Sequence, residues 1–142
     1  ELWVALAEKA YAQVNESGWI GQNNTNSYQG IEGGWDGYAL NHITGVNTGY
    51  YNFFDLNSMV GYFQSGNWMS VSSKVTGVGS SIVPNHSYLV VDYNSATQQF
   101  TLFNPWGVDG AKDGNGVFKP GTLKVNYSQL IANFDGWTWA AV

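Results

Sequence analysis

The stretch that decides the fold is residues 86–107, HSYLVVDYNSATQQFTLFNPWG, in which two runs rich in β-branched and aromatic residues flank a polar segment. This pattern predicts two antiparallel strands joined by a turn. With the turn centred near Ser95, His86 is expected directly opposite Asn104, with the two Cβ atoms roughly 4.5–5.5 Å apart on one face. A register error of one residue would instead put the two side chains on opposite faces. The rest of the shared face is predicted to be apolar: Tyr88, Val90, Phe100 and Leu102.

An imidazole beside a carboxamide is the arrangement that a thiol protease needs from one wall of its cleft. The ring pairs as an imidazolium with a thiolate and then protonates the leaving amine, while the Asn104 oxygen accepts from the other ring nitrogen and orients it. Pro105 stiffens the chain after Asn104, and Trp106 is placed to cover the contact and exclude water. The spacing is therefore compatible with a catalytic His–Asn pair.

A purely structural interpretation accounts for the same residues. In that case His86 is a histidine at a strand edge, hydrogen-bonded to its neighbour, and Trp106 is a core residue. From spacing alone this is the simpler hypothesis, because a cross-strand Asn–His pair is a weak signal. The alternation of residues does not decide between the two.

Outward from the hairpin, the chain alternates between helical and extended patterns. Apolar residues at helical spacing, together with capping residues, predict helices over residues 2–14, 36–43, from 55 or 57 to 65, and 126–134. Further strands are predicted at residues 68–71 and 137–142. We therefore predict an α+β fold, in which a mainly antiparallel sheet has helices at its start and flanks, forming a single domain over residues 1–142.

The composition excludes several classes of function. The chain has 142 residues with a net charge of -5, and it contains five Lys and no Arg, which argues against nucleic acid as a partner. The longest apolar run is six residues, at 2–7, far short of the about 20 that cross a bilayer, so no membrane span is expected. The absence of Cys excludes disulfides, thiolate metal sites and a Cys nucleophile within these residues.

Three motifs resemble a known family. They are LWVALAEKAYA at residues 2–12, SYQGIEGG at 27–34 with the following segment 40–45, and the pair NHSY at 85–88 and NPWG at 104–107. In this order and spacing the chain resembles the second, C-terminal subdomain of the calpain-type cysteine protease core. Papain-like proteases in general also have a late His and an Asn followed by Trp-Gly, but Pro105 and the first helix favour the calpain type.

The resemblance implies a role for each matching residue. His86 matches the catalytic His, Asn104 the Asn that orients it, and Trp106 the Trp beside the cleft that shields the pair. The implied fold is the papain-like second subdomain, with an antiparallel, barrel-like sheet and flanking helices. The Cys and the oxyanion-forming Gln belong to the preceding subdomain. Because the chain starts with Glu1 and has no Cys, we expect it to be a piece of a larger core, inactive alone, with the Cys-bearing subdomain as partner and a polypeptide as substrate.

Calcium is bound by many members of this family. Asp109 and Asp113 lie near the corresponding loop, but Pro120 and Thr122 stand where further acidic ligands would be needed. An oxygen-rich calcium site requires several converging ligands. We therefore predict no cofactor and no metal site.

The alternative function is a non-catalytic binding module of the same fold, with a peptide or carbohydrate ligand. Aromatic residues in Gly- and Asn-rich segments would suit such a role: Trp19, Trp35, Tyr50 and Tyr51. His42, near the end of a short helix and without a carboxylate at ligand spacing, is predicted to be structural or exposed.

Overall fold

The computed structural model describes residues 2–112 and 117–142, with side chains described at all of these positions except 109–112. The chain separates into two compact units, an N-terminal unit, Glu1–Gly45, and a C-terminal unit, Val46–Val142. Among the described helices, none has the length and apolar character needed to cross a membrane.

The N-terminal unit is helical. It contains α1 (Leu2–Glu16), a single turn of 3-10 helix (Gln29–Ile31) and α2 (Asp36–Thr44). Both predicted helices are confirmed, and α2 ends as expected at Gly45, whose φ of 73° is the left-handed conformation that glycine adopts without strain. The buried Asn15 side chain organises the following loop, because its Nδ2 donates to Asn23 Oδ1, Thr25 O and Gly30 O.

The C-terminal unit is built on one antiparallel sheet. Its strands are β1 (Thr48–Tyr51), β2 (Trp68–Ser73), β3 (Ser87–Asn94), β4 (Gln99–Lys112), β5 (Phe118–Asn126) and β6 (Phe134–Ala140), and its helices are α3 (Leu56–Gln64) and α4 (Tyr127–Asn133). The strand order is β1-β6-β2-β3-β4-β5, and every neighbouring pair is antiparallel. The α+β class and the antiparallel sheet are thus confirmed.

The core lies on one face of this sheet. Met59 of α3 and Leu130 of α4 are fully buried against it, and both helices carry N-terminal caps, with Asp55 at α3 and the predicted capping box of Asn126 and Gln129 at α4. The sheet contributes the largest buried side chains, among them Val71, Tyr88, Phe100, Leu102, Phe134 and Trp137. The predicted apolar floor of the hairpin is therefore part of the main core.

The register of the β3–β4 hairpin differs from the prediction. Next to the turn Asn94 pairs with Gln99, a shift of three residues from the prediction, and after an irregularity at Val91 the pair Val90–Leu102 is shifted by two. The physical reason lies in the turn. Asn94 Oδ1 accepts the backbone N–H groups of Ala96 and Thr97, both at 3.0 Å, so the turn occupies residues 95–98 instead of centring on Ser95.

Candidate active site

His86 lies immediately before β3, and its ring contacts the fully buried Asn104 of β4. The His86 Nε2 and Asn104 Oδ1 atoms are 2.9 Å apart. The prediction that these two side chains lie within hydrogen-bond distance is confirmed, although His86 precedes β3 and is not directly opposite Asn104. Extending the Leu89–Phe103 pairing by one residue brings Tyr88, not His86, level with Asn104.

A β-bulge puts His86 and Asn104 on the same face of the sheet. Near the turn Asp92 pairs with Thr101, but beyond it Val90 pairs with Leu102, so Val91 is an extra residue on β3. Successive side chains in a strand alternate between faces. One unpaired residue therefore reverses the face on which the preceding β3 residues lie, compared with a regular ladder. If Val91 were a regular member of the ladder, paired with Leu102, the register of the turn would point His86 away from Asn104. The bulge compensates for the shifted turn and restores the predicted face.

Asn104 is held by the imidazole and also by the irregular segment of β4 over residues 104–108, which we call the Trp106 loop. Its Oδ1 accepts the Trp106 backbone N–H at 3.0 Å, and its Nδ2 donates to the Val108 carbonyl at 2.7 Å. These two bonds fix which end of the amide faces His86, because only the oxygen can accept from Trp106 and only the nitrogen can donate to Val108. The Asn104 oxygen therefore faces the imidazole and can only accept from it.

The tautomer of His86 follows from this arrangement. Its Nε2 must carry the proton that is donated to Asn104, so in the neutral ring Nδ1 holds the lone pair. Within residues 2–112 and 117–142, the structure gives Nδ1 no hydrogen-bond partner, and the His86 side chain is half-buried. The hydrogen bond to Asn104 thus fixes the orientation of the ring and leaves the Nδ1 lone pair without a partner among these residues.

Trp106 covers the imidazole while remaining largely exposed. Its ring centroid is 4.4 Å from that of His86, and 63% of the residue is accessible to solvent. The structural interpretation that made Trp106 a core residue is therefore wrong. The second ring against His86 is the buried Tyr88, edge-on at 5.3 Å. One exposed and one buried aromatic ring limit the access of water to the Nε2–H group.

The loop that carries Trp106 packs closely on β5. Gly107 has a φ of 74°, and a Cβ added to Gly121 would lie 2.8 Å from the Gly107 carbonyl carbon and the Val108 nitrogen. Only glycine allows such close backbone contact. Gly107 and Gly121 together let the chain turn through Pro105 and Trp106 without moving Asn104.

The remaining candidate residues lie elsewhere. The Asp109 side chain and Asp113 lie outside the described residues, while Pro120 and Thr122 are exposed positions on β5. In the part of the chain that the structure describes, no group of three His, Asp or Glu side chains is arranged to hold a metal ion. His42 has a structural environment, as predicted: its Nδ1 is 3.0 Å from Tyr11 Oη, and its ring centroid is 4.8 Å from that of Trp19.

The sequence interpretation missed two contributors to the site. One is the extra residue Val91, and its signal is the run Leu89-Val90-Val91, which breaks the alternation expected of a strand with one buried face. The other is Ser73 at the end of β2, which bonds the His86 backbone. Nothing in the local sequence distinguishes Ser73 from the neighbouring Ser70 and Ser72.

Comparison with known proteins adds no family assignment. Neither the family models nor the curated proteins contain a match to this chain. An oriented imidazole with one free basic nitrogen can accept a proton from a nucleophile and later return it, or form an ion pair with a thiolate.

Proposed function

We propose that this chain supplies the His and Asn of a papain-like cysteine endopeptidase of the calpain type, acting with a Cys on a separate subdomain. The observation that carries the proposal is the direction of the His86–Asn104 hydrogen bond. The Asn104 oxygen accepts the hydrogen bond from Nε2–H, so Nδ1 is left available for a thiol. The motifs at residues 2–12, 85–88 and 104–107 support the same assignment by their resemblance to that family.

In the proposed mechanism, His86 carries the proton. Its Nδ1 takes the proton of the incoming thiol, which gives a thiolate–imidazolium pair, and after attack on the peptide carbonyl the same nitrogen protonates the leaving amine. Asn104 keeps the ring oriented in both protonation states, because its oxygen accepts from Nε2–H in each. Trp106 shields that hydrogen bond, and a hydrogen bond removed from water is stronger.

Two groups in the proposal come from outside the 142 residues. The thiolate needs a Cys, which this chain does not contain, and the oxyanion needs a donor such as the Gln that the family resemblance implies. The partner is therefore a Cys-bearing subdomain, and the substrate is a polypeptide. The barrel-like papain arrangement of the sheet belongs to the same proposal.

The test is reconstitution. The 142-residue chain is combined with a Cys-bearing subdomain of the calpain type, and cleavage of an unstructured protein is followed. We expect no cleavage by the chain alone, cleavage by the pair, and its loss with a thiol-alkylating reagent or with His86→Ala. Cleavage by the chain alone that resists alkylation would mean that another nucleophile acts and that the proposed mechanism is wrong.

A second candidate function, a non-catalytic binding module, has its own structural feature. The N-terminal unit contains an open groove of about 850 Å³, whose lining includes the aromatic residues Trp3, Tyr11 and Tyr28 and the acidic Glu8 and Glu32. Among the aromatics named for this function, Trp19 contacts His42 with its ring tilted by 45°, and Tyr51 packs on the buried Trp137. Peptide binding that persists in His86→Ala and is lost on Tyr28→Ala would favour the binding module over the peptidase.

A further inference from the structure

We infer that Ser73 is a positioning residue for His86, with its buried hydroxyl fixing the backbone from which the imidazole reaches Asn104. The importance of this role for catalysis rests on the proposed function, whereas the positioning itself does not. Ser73 is 4% exposed at the end of β2. Its Oγ accepts the His86 backbone N–H at 2.9 Å, and its own N–H donates to the His86 carbonyl at 2.8 Å.

The Ser73 hydroxyl takes the place of a backbone group in the sheet. The last regular pair between β2 and β3 is Ser72 with Ser87, and the β2–β6 register shifts between Ser72 and Ser73. Beyond that point the Ser73 side chain, and not a backbone carbonyl, accepts the hydrogen bond from the His86 N–H. The same hydroxyl lies 2.7 Å from the Val83 carbonyl, to which it can donate while it accepts from His86. One hydroxyl thus joins both ends of the segment 83–86.

A second set of bonds holds this segment next to Ser73. Asn85 has a φ of 50°, in the left-handed region, and its N–H donates to the Lys74 carbonyl at 3.0 Å. The Lys74 ammonium in turn donates to the carbonyls of Ile131 and Ala132, both at 2.9 Å, in the last turn of α4. Cations are stabilised at that end of a helix. Ser73 and Lys74 therefore tie the backbone before His86 to β2 and to the last turn of α4.

The aromatic contacts of His86 depend on the same segment. The Val83 N–H donates to Tyr88 Oη at 2.8 Å, and the Tyr88 ring is the buried neighbour of the imidazole. Loss of the Ser73 hydroxyl would leave the His86 N–H and the Val83 carbonyl without this partner in a part-buried setting. The segment would relax to find other partners, and the imidazole would move relative to Asn104, which is fixed independently by its own loop.

Ring-nitrogen NMR of the ¹⁵N-labelled 142-residue chain tests the inference without any need for turnover. The chain has two His residues, so His42 serves as an internal reference. In the wild-type chain we expect His86 to be a single Nε2–H tautomer with a slowly exchanging ring proton. In Ser73→Ala we expect mixed tautomers and ring-proton exchange faster by about tenfold or more, as for the loss of one buried hydrogen bond. Ser73→Thr, which keeps the hydroxyl, should restore the wild-type signals.

Ser72→Ala is the matched control. It removes the hydroxyl one residue away, from a half-buried position, and we expect the His86 signals to stay unchanged. Wild-type His86 signals in Ser73→Ala, or equal changes in Ser72→Ala, would overturn the inference. If Ser73→Ala does not fold, Ser73→Cys replaces it, because the thiol fills the site but is a poor acceptor; wild-type His86 signals in that variant would likewise overturn the inference.

Activity provides a separate readout in the reconstituted enzyme. We expect Ser73→Ala to lower kcat by about tenfold with KM nearly unchanged, and Ser73→Thr to recover it. If the NMR result is as expected but cleavage does not depend on His86, the proposed function fails and the positioning role of Ser73 stands. If cleavage depends on His86 but the His86 ring signals are unchanged in Ser73→Ala, the positioning role of Ser73 fails and the proposed function stands.

Discussion

Asn104 donates through Nδ2 to the Val108 carbonyl at 2.7 Å, and this bond makes the amide oxygen the end that faces His86. The same side chain therefore has two roles: it orients the imidazole, and it closes the loop that carries Trp106. The two roles predict different consequences for changes at the two members of the pair.

Asn104→Ala is expected to lower the free energy of unfolding by about 2–4 kcal/mol, because the Trp106 N–H and the Val108 carbonyl lose their partner and a buried volume is emptied. His86→Ala, which leaves the loop bonds in place, should cost about 1 kcal/mol or less. Urea denaturation of both variants measures this difference.

In the assembled enzyme we expect the reverse order, with His86→Ala losing more turnover than Asn104→Ala, since an unrestrained imidazole still samples the productive orientation. Equal stabilities of the two variants would contradict the double role of Asn104.

Deletion of Val91 should leave His86 on the same face as Asn104. Without the extra residue Val90 follows Asp92 directly, and its pairing with Leu102 continues the ladder of the turn without a bulge. The protected Nε2–H signal should therefore persist in the ring-nitrogen spectrum. Deletion of Leu89, which is 46% exposed, keeps the bulge but moves His86 by one residue to the opposite face, so the signal should be lost. A protected His86 ring proton in the Leu89 deletion, or its loss in the Val91 deletion, would contradict this register.

Gly121→Ala is expected to destabilise the C-terminal unit by about 1–3 kcal/mol, because the added methyl group would overlap the backbone of Gly107 and Val108. Gly61→Ala, within α3, is the matched control: its Cβ meets nothing within 4 Å, and the change should stabilise the chain by about 1 kcal/mol or less. Thermal unfolding of the two variants gives the comparison. A Gly121→Ala variant as stable as the wild type would mean that the loop does not depend on this close packing.

The stability of α3 should depend on pH through Asp55. Hydrogen bonds from the Ser58 side chain and backbone hold the pKa of the Asp55 carboxyl below its ordinary value. A lowered pKa in the folded state stabilises the fold above the unfolded pKa of about 3.9, and this stabilisation is lost as the pH falls through the folded value. Asp55→Asn keeps an N-cap that does not titrate. The difference in stability between the wild type and Asp55→Asn should therefore be constant near neutral pH and shrink in acid. The midpoints of urea denaturation measure it. A difference that stays constant in acid would argue against a role of the Asp55 carboxylate as the cap.

The sequence predicted the parts of the fold that depend on local signals. Helix α2 ends at Gly45, and α4 begins with the Asn126 capping box. Both were predictable because a helix cap depends on the residues at the end of the helix itself. Strand β5 was missed because Pro120 and Gly121 are typical of loops. In the structure Gly121 is required by close packing against another strand, which is tertiary information.

The residues of the site were predicted correctly, but the register of the β3–β4 pairing was not. His86, Asn104 and Trp106 come together as expected, yet through a turn at 95–98 and a bulge at Val91 that offset each other. The side of the sheet on which a residue lies depends on burial, and the apolar Tyr88 and Leu102, both buried in the structure, allowed that side to be predicted. The exact pairing depends on the Asn94 turn, and the contribution of Ser73 depends on a contact between segments distant in sequence, which no local pattern contains.

The most direct measurement of the central claim, that His86 forms an ion pair with a thiolate, is the pH dependence of Cys alkylation in the assembled enzyme. The proposed ion pair with His86 would keep the thiol ionised far below its ordinary pKa of about 8.5. We expect rapid alkylation by iodoacetamide to persist into mildly acidic pH in the wild-type assembly. In His86→Ala the reaction should show the ordinary thiol profile, rising only above about pH 8. Identical pH profiles for the wild type and His86→Ala would contradict the account.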